Sequence, residues 1–194
     1  MDSTHIAFKE WAVVVEALGT GEQLLILRKG GIHEHRGQFQ PDHAQFWLFP
    51  TQFHEAETSV IPSKRPALRA IAAQAPAGAV DLQYLAVVTD VHHLTDRAQV
   101  RQLQGQHIWS EPVLQQRFEF GREPGLYALV VRVHALPAPV RRPLLERYGG
   151  CKSWIELESP LDAAAAQPVI AEMEFQRQRG MIAELVSAHA LTHP

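Results

Sequence analysis

The chain has a single cysteine, Cys151, among 194 residues. One thiol can build neither an intrachain disulfide nor a cysteine-rich zinc site, which excludes a disulfide scaffold and a zinc finger and fits a reducing compartment. No apolar run approaches the roughly 20 residues that span a bilayer. The start, Met1-Asp2-Ser3-Thr4-His5, has neither the basic residues nor the apolar stretch of a signal peptide. A cytoplasmic location with no membrane contact is expected. Positive charge is also short, with 18 Lys plus Arg against 21 Asp plus Glu and a formal net charge of −3. No long-range field draws in nucleic acid, so any contact with a polyanion must be local. Several catalytic signatures are missing. There is no Walker loop, GxGxxG turn or GxSxG elbow, and His54-Glu55-Ala56-Glu57-Thr58 lacks the second histidine of HExxH. The positions two before Lys9, Lys29, Lys64 and Lys152 are Ala7, Leu27, Pro62 and Gly150, so the acid-x-lysine pair of PD-(D/E)xK nucleases is absent.

What is present suits one folded domain over 1–194, since 46% hydrophobic residues suffice for one substantial core and 20% charged residues are mixed in sign. Valine-rich Ala7 to Leu18 and the run Leu24 to Leu27 flank Gly19-Thr20-Gly21, a β-hairpin pattern. A long loop to Gln45 follows. Phe46 to Phe49 reads as a strand, with Thr51 placed to cap a turn through His54 and Glu55. Ser63 to Gln74 reads as a helix. Leu82 to Val91 is a strand, then a Thr95-capped helix runs to about Leu103, and a further helix starts at Ser110-Glu111-Pro112. Gly125 to Leu136 has the character of a central strand, ended by Pro137, Pro139 and Pro143. Ser153 to Leu157 is a last strand, and a C-terminal helical segment occupies 168–191 with Gly180 as a bend. The fold class expected is α+β, with a mixed, mostly antiparallel sheet curled toward a barrel, peripheral helices and a C-terminal helix.

The strings Phe8-Lys9-Glu10-Trp11-Ala12-Val13-Val14, Leu27-Arg28-Lys29-Gly30-Gly31-Ile32, Phe49-Pro50-Thr51 with His54, Tyr127 to Val133, and Cys151-Lys152-Ser153-Trp154-Ile155-Glu156-Leu157 together resemble a bacterial family, domain of unknown function 1802. The resemblance covers Ala7 to about Leu157 and implies that 63–79 is a helical insertion. Its members carry no established activity, and some resemble parts of proteins bearing a restriction-endonuclease domain, which implies a restriction-modification or nucleic-acid context. The run around Thr89-Asp90-Val91 is more distantly similar to RNA-binding barrels of the ASCH and PUA type. The glycine-lysine-glutamate signature of ASCH domains is absent.

Four clusters carry candidate chemistry. Arg28 and Lys29 precede Gly30 and Gly31, whose backbone amides can form an anion-binding nest, with an exposed turn as the plain alternative. His33, His35, His43 and His54 fall in a short span; no native metal is expected, and His43 and His54 are the candidates if one binds. Cys151 follows Gly149-Gly150, and a small buried hydrophobe is the favoured reading over a nucleophile. Lys9, Glu10 and Trp11 share a strand, while Trp109, Arg117, Arg132 and Trp154 supply stacking and guanidinium groups. Arg132 can equally pair with a carboxylate such as Glu10 or Glu156. The ligand-binding set is therefore Lys9, Glu10, Arg28, Lys29, Gly30, Gly31, Thr51, His54, Arg132 and Trp154, with no catalytic residue assigned and no cofactor expected. The partner is nucleic acid or a phosphate-bearing small molecule. The alternatives are a metal-dependent hydrolase or nuclease using His43 and His54, and an interaction subunit, homo-oligomeric or with another protein, docking through its terminal helix.

Overall fold

The first strand, β1 (Thr4–Trp11), follows from alternation: Ala7 packs into the core on one side of the sheet and Phe8 into the core on the other. A computed structural model describes residues 3–29, 32–35, 38–52, 57–150 and 152–187. Directly after Trp11 the chain turns into helix α1 (Ala12–Gly19), where the valine run had predicted more strand. Ala12, Val13, Val14, Val15, Ala17 and Leu18 are all buried, so the run carries no polar face whose spacing would separate helix from strand. The predicted hairpin therefore does not form. β2 (Leu25–Arg28) pairs antiparallel with β7 (Leu126–Pro143) instead of with β1.

The stretch expected as a loop holds a small two-stranded sheet, β3 (Ile32–His35) with β4 (Gln38–Pro41). β5 (Gln45–Thr51) lies parallel to β1, with Trp11 opposite Thr51. β6 (Ala79–Leu94), β8 (Trp154–Leu161) and the short β9 (Gln167–Pro168) complete the main sheet, ordered β2-β7-β6-β5-β1-β8 with β9 on β7. All its pairs but one are antiparallel, as the α+β reading requires. The sheet does not close into the barrel toward which it was expected to curl, because β2 and β8 end it without pairing to each other.

Prolines do not stop β7. Between Ala135, opposite Tyr84, and Val140, opposite Leu82, the strand makes a bulge that takes up Pro137 and Pro139, and pairing with β6 resumes to Pro143. A bulge needs no ladder donor at the extra residues, which is where a ring without N–H fits.

Helix α2 (Arg65–Gln74) follows a single 3-10 turn at Pro62–Lys64, and α4 (Glu111–Glu119) begins where Ser110-Glu111-Pro112 predicts. α3 (Arg97–Gln102) is capped by Asp96 rather than Thr95. The Asp96 carboxylate accepts from Ala98 N–H at 2.8 Å, and Gln99 Oε1 accepts from Asp96 N–H at 3.2 Å, a capping box. α5 (Glu172–Ser187) starts later than Pro168 and runs through Gly180. Its Phe175, Ile182 and Val186 are buried in the larger core with Val131, Val133 and Leu129. That apolar face is thus covered by the chain's own sheet. On the opposite face Trp47, Phe49, Leu82, Leu85, Tyr148 and Ile155 form a second core. Among the described residues no helix is long and apolar enough to cross a membrane.

Candidate functional site

β1 and β5 end side by side, and at their shared end the chain leaves β1 for α1. A cavity of about 1540 Å³ opens there. Its lining includes Lys9, Glu10, Trp11, Arg28, Lys29, Thr51, Arg117 and Gly149-Gly150, which gathers residues far apart along the chain.

Glu10 is the centre of this arrangement. Strand alternation sends it to the side opposite Lys9, and only 8% of it is exposed. Its Oε1 accepts a hydrogen bond from Trp11 N–H at 2.8 Å. Burial raises its pKa above the ordinary carboxylate value, opposed by Arg117, by that Trp11 N–H and by Arg28. Burial likewise pulls the Arg28 and Arg117 guanidinia below their usual value, with Glu10 working against it in both and Asp42 also doing so for Arg28. Arginine ionises so far above neutrality that both remain cations. Among the described residues, no ion pair joins either arginine to Glu10.

Each arginine lies on aromatic rings. Arg28 Cζ stands 4.5 Å from the Phe8 centroid and 5.5 Å from that of Trp154. Its Nε and Nη1 are buried and have no hydrogen-bond partner among the described residues. Arg117 Cζ stands 3.8 Å from the Trp109 centroid, and Trp109 meets Trp11 edge to face at 4.9 Å. Arg117 Nη1 donates to Leu27 O at 3.4 Å, a long bond.

The two lysines are differently placed. Lys9 donates to Tyr148 O at 2.8 Å and to Gly150 O at 2.7 Å, tying the segment before β8 to β1. Lys29 donates to Phe118 O at 3.1 Å, to Gly125 O at 2.9 Å and to Glu123 O, fixing the chain beyond α4. Three carbonyls use up an ammonium's three donors, so Lys29 holds the wall of the cavity together. Thr51 Oγ1 donates to the Glu10 carbonyl at 3.2 Å and locks the two parallel strand ends.

Of the other predicted residues, Trp154 backs Arg28 and faces a separate cavity of about 330 Å³ with His43 and Lys152. His43 meets Trp154 edge to face at 5.0 Å. Arg132 is not brought to the site. It lies under α5, with Nη2 3.1 Å from Glu172 and Cζ 4.5 Å from the Phe175 centroid, so its carboxylate partner is neither Glu10 nor Glu156. Gly30, Gly31, His54 and Cys151 lie outside the described residues, as do the side chains of His33 and His35. Among the described residues no three His, Cys, Asp or Glu side chains stand close enough to share a metal ion. Arg117 and Trp109 matter more than their sequence suggested, where both were only generic stacking groups. Glu16 and Tyr84, which also line the cavity, gave no sequence signal.

The model of a domain of unknown function, DUF1802, matches residues 7–180. The chain belongs to the DUF1802 family. The match runs past Leu157 and takes in α5 as far as Gly180, so the terminal helix is part of the DUF1802 domain. No curated protein matches this DUF1802 chain. Among solved structures, the ASCH protein from Zymomonas mobilis is similar at 13% identity and a TM-score of 0.42, covering 90% of this chain and 92% of that one. A serine-to-alanine mutant of the same protein gives 13% identity and 0.42, covering 93% and 97%.

Proposed function

We propose that this DUF1802 chain binds a phosphate-bearing ligand, single-stranded nucleic acid first among them, in the cavity lined by Glu10, Arg28 and Arg117. The observation that carries the reading is Arg28, a partly buried cation at a cavity wall with two donor nitrogens, Nε and Nη1, that meet no acceptor among the described residues. Leaving such a group unpaired costs about 1–3 kcal/mol, more when charged, and proteins keep unpaired groups of this kind where a ligand or a mechanism uses them. A guanidinium also suits a phosphate better than an ammonium does, because its planar donors match two oxygens at once. Trp11, at the mouth of α1, offers an aromatic surface of the kind on which bases stack. Lys9, Lys29 and Thr51 act as positioning residues through the carbonyls they hold. A metal-dependent hydrolase would need His43 and His54, and His43 packs against Trp154 and belongs to no group of three or more His, Cys, Asp or Glu side chains among the described residues.

The test is retention of labelled single- and double-stranded oligonucleotides, with and without Mg²⁺ or Mn²⁺. Binding should prefer single strands, weaken with salt, and fall at least about tenfold in Arg28→Ala. Competition by inorganic phosphate as effective as by oligonucleotide would assign the site to a small ligand. Metal-dependent cleavage, or binding indifferent to Arg28, would overturn the proposal.

A further inference from the structure

We infer that an anion entering the cavity beside Arg28 and Arg117 brings one proton with it, taken from solvent and held on Glu10. The inference rests on the binding reading above and concerns how that site is regulated. Its basis is geometric. Glu10 lines the same cavity as both arginines and is almost wholly buried, and its carboxylate accepts a hydrogen bond only from the Trp11 amide among the described residues. Its charge is thus balanced by the field of the two guanidinia and not by contact with them. A phosphate drawn to those guanidinia uses the same positive field and adds a like charge next to a carboxylate shielded from water. Two anions confined together cannot both stay ionised cheaply, and against a phosphodiester the weaker acid is the carboxyl, which takes the proton. Burial already pushes Glu10 in that direction without any ligand. Once neutral, its O–H can donate to a phosphate oxygen, which turns a repulsion into a hydrogen bond.

The surrounding charges leave Glu10 as the group that responds. β1 supplies Lys9, engaged on the Tyr148 and Gly150 carbonyls, and β2 supplies Arg28 and Lys29, the latter engaged on three carbonyls. α4 supplies Arg117, α1 supplies Glu16, and β6 supplies Asp81 and Tyr84. Glu146 and Lys152 complete the charged lining, and Asp42 acts on Arg28. Tyr84 is pushed above the usual phenol value by burial and by Glu16, so it stays neutral throughout. His43 meets Trp154 edge to face and lines the smaller cavity instead. His107, held down to about 4 by burial, lines a different cavity between α3 and α4.

Calorimetric titration of the full chain with an unlabelled thymidine pentanucleotide, in two neutral buffers of different ionisation enthalpy, counts protons directly. Its internal diester phosphates keep one charge across the range, so the ligand contributes none. The expected result is uptake of up to about one proton per bound strand, with affinity falling by up to about tenfold per pH unit between the free and bound pKa of Glu10. Glu10→Gln, folded by circular dichroism, should bind without uptake and without that pH dependence. Binding with no uptake in the wild-type protein overturns the coupling and leaves the site intact, and that outcome is read without any variant. Uptake persisting in Glu10→Gln places the proton elsewhere and overturns it too. No binding by either protein overturns the reading of the cavity, and the coupling with it.

Discussion

Arg28 and Lys29 are consecutive cations at one strand end with opposite fates. The Lys29 ammonium is satisfied by the carbonyls of Phe118, Glu123 and Gly125, whereas Arg28 Nε and Nη1 are buried unpaired. Lys29→Met should therefore destabilise the protein by about 2–3 kcal/mol, because it removes charge-assisted bonds and strands their acceptors. Arg28→Met should change stability by less than about 1 kcal/mol in either direction, because it also removes a desolvated cation. Urea unfolding of both variants checks the pair, and equal losses would show that the two residues do the same work. The sequence placed both residues on one short motif, and with Lys9, Glu10 and Thr51 they do meet at the cavity. What it could not reveal is which cation was already engaged, since Lys29's acceptors lie about ninety residues further along the chain and are backbone atoms that no pattern marks. Arg132 looked equivalent to Arg28, being a guanidinium in an apolar strand, but the α5 carboxylate Glu172 takes it.

At the level of elements, α5 is fastened to the sheet by the Arg132–Glu172 pair and by a bidentate clamp, in which Arg179 Nε and Nη2 reach Asp90 Oδ2 and Oδ1 at 2.6 and 2.8 Å. The Arg179 hydrogen bond holds Asp90 below the usual carboxylate range, against desolvation and with help from Thr89, so the folded pKa lies under the unfolded one. The contribution is then complete above the unfolded value and disappears as pH drops through the folded one. With Arg179 more than a third exposed, the clamp is worth about 1 kcal/mol. Asp90→Asn should lower stability by that amount at neutral pH and match wild type in acid below the normal aspartate range. Thermal unfolding at several pH values checks it, and a constant gap would remove the carboxylate from the account. Asp96→Ala, which deletes the α3 cap, should cost about 1 kcal/mol in the same assay and Thr95→Ala almost nothing. Elements with clear punctuation, such as α2, α4 and β5, could be read from sequence. The β1–α1 junction could not, since a run buried everywhere but at Glu16 has no periodicity, and its partner strand was decided by distant pairing.

Across the whole molecule, one sheet separates two cores, and β1 contributes Phe8 to one and Ala7 to the other. Neither core closes without the shared strands, so tryptophan fluorescence and far-UV circular dichroism should trace coincident urea transitions. Separate midpoints would mean that the two faces melt independently. The same plan leaves β7 uncovered past Ala135 on the edge away from β6, for on that edge β2 ends opposite Val130 and β9 opposite Ala135. Past that point the outer rim of the ribbon would invite another copy to add a strand. Pro137, Pro139 and Pro143 occupy this overhang, and a proline offers no amide hydrogen for a newcomer to grasp. The rings that failed to terminate the strand thus guard it, which should keep concentrated solutions of the protein free of fibrils.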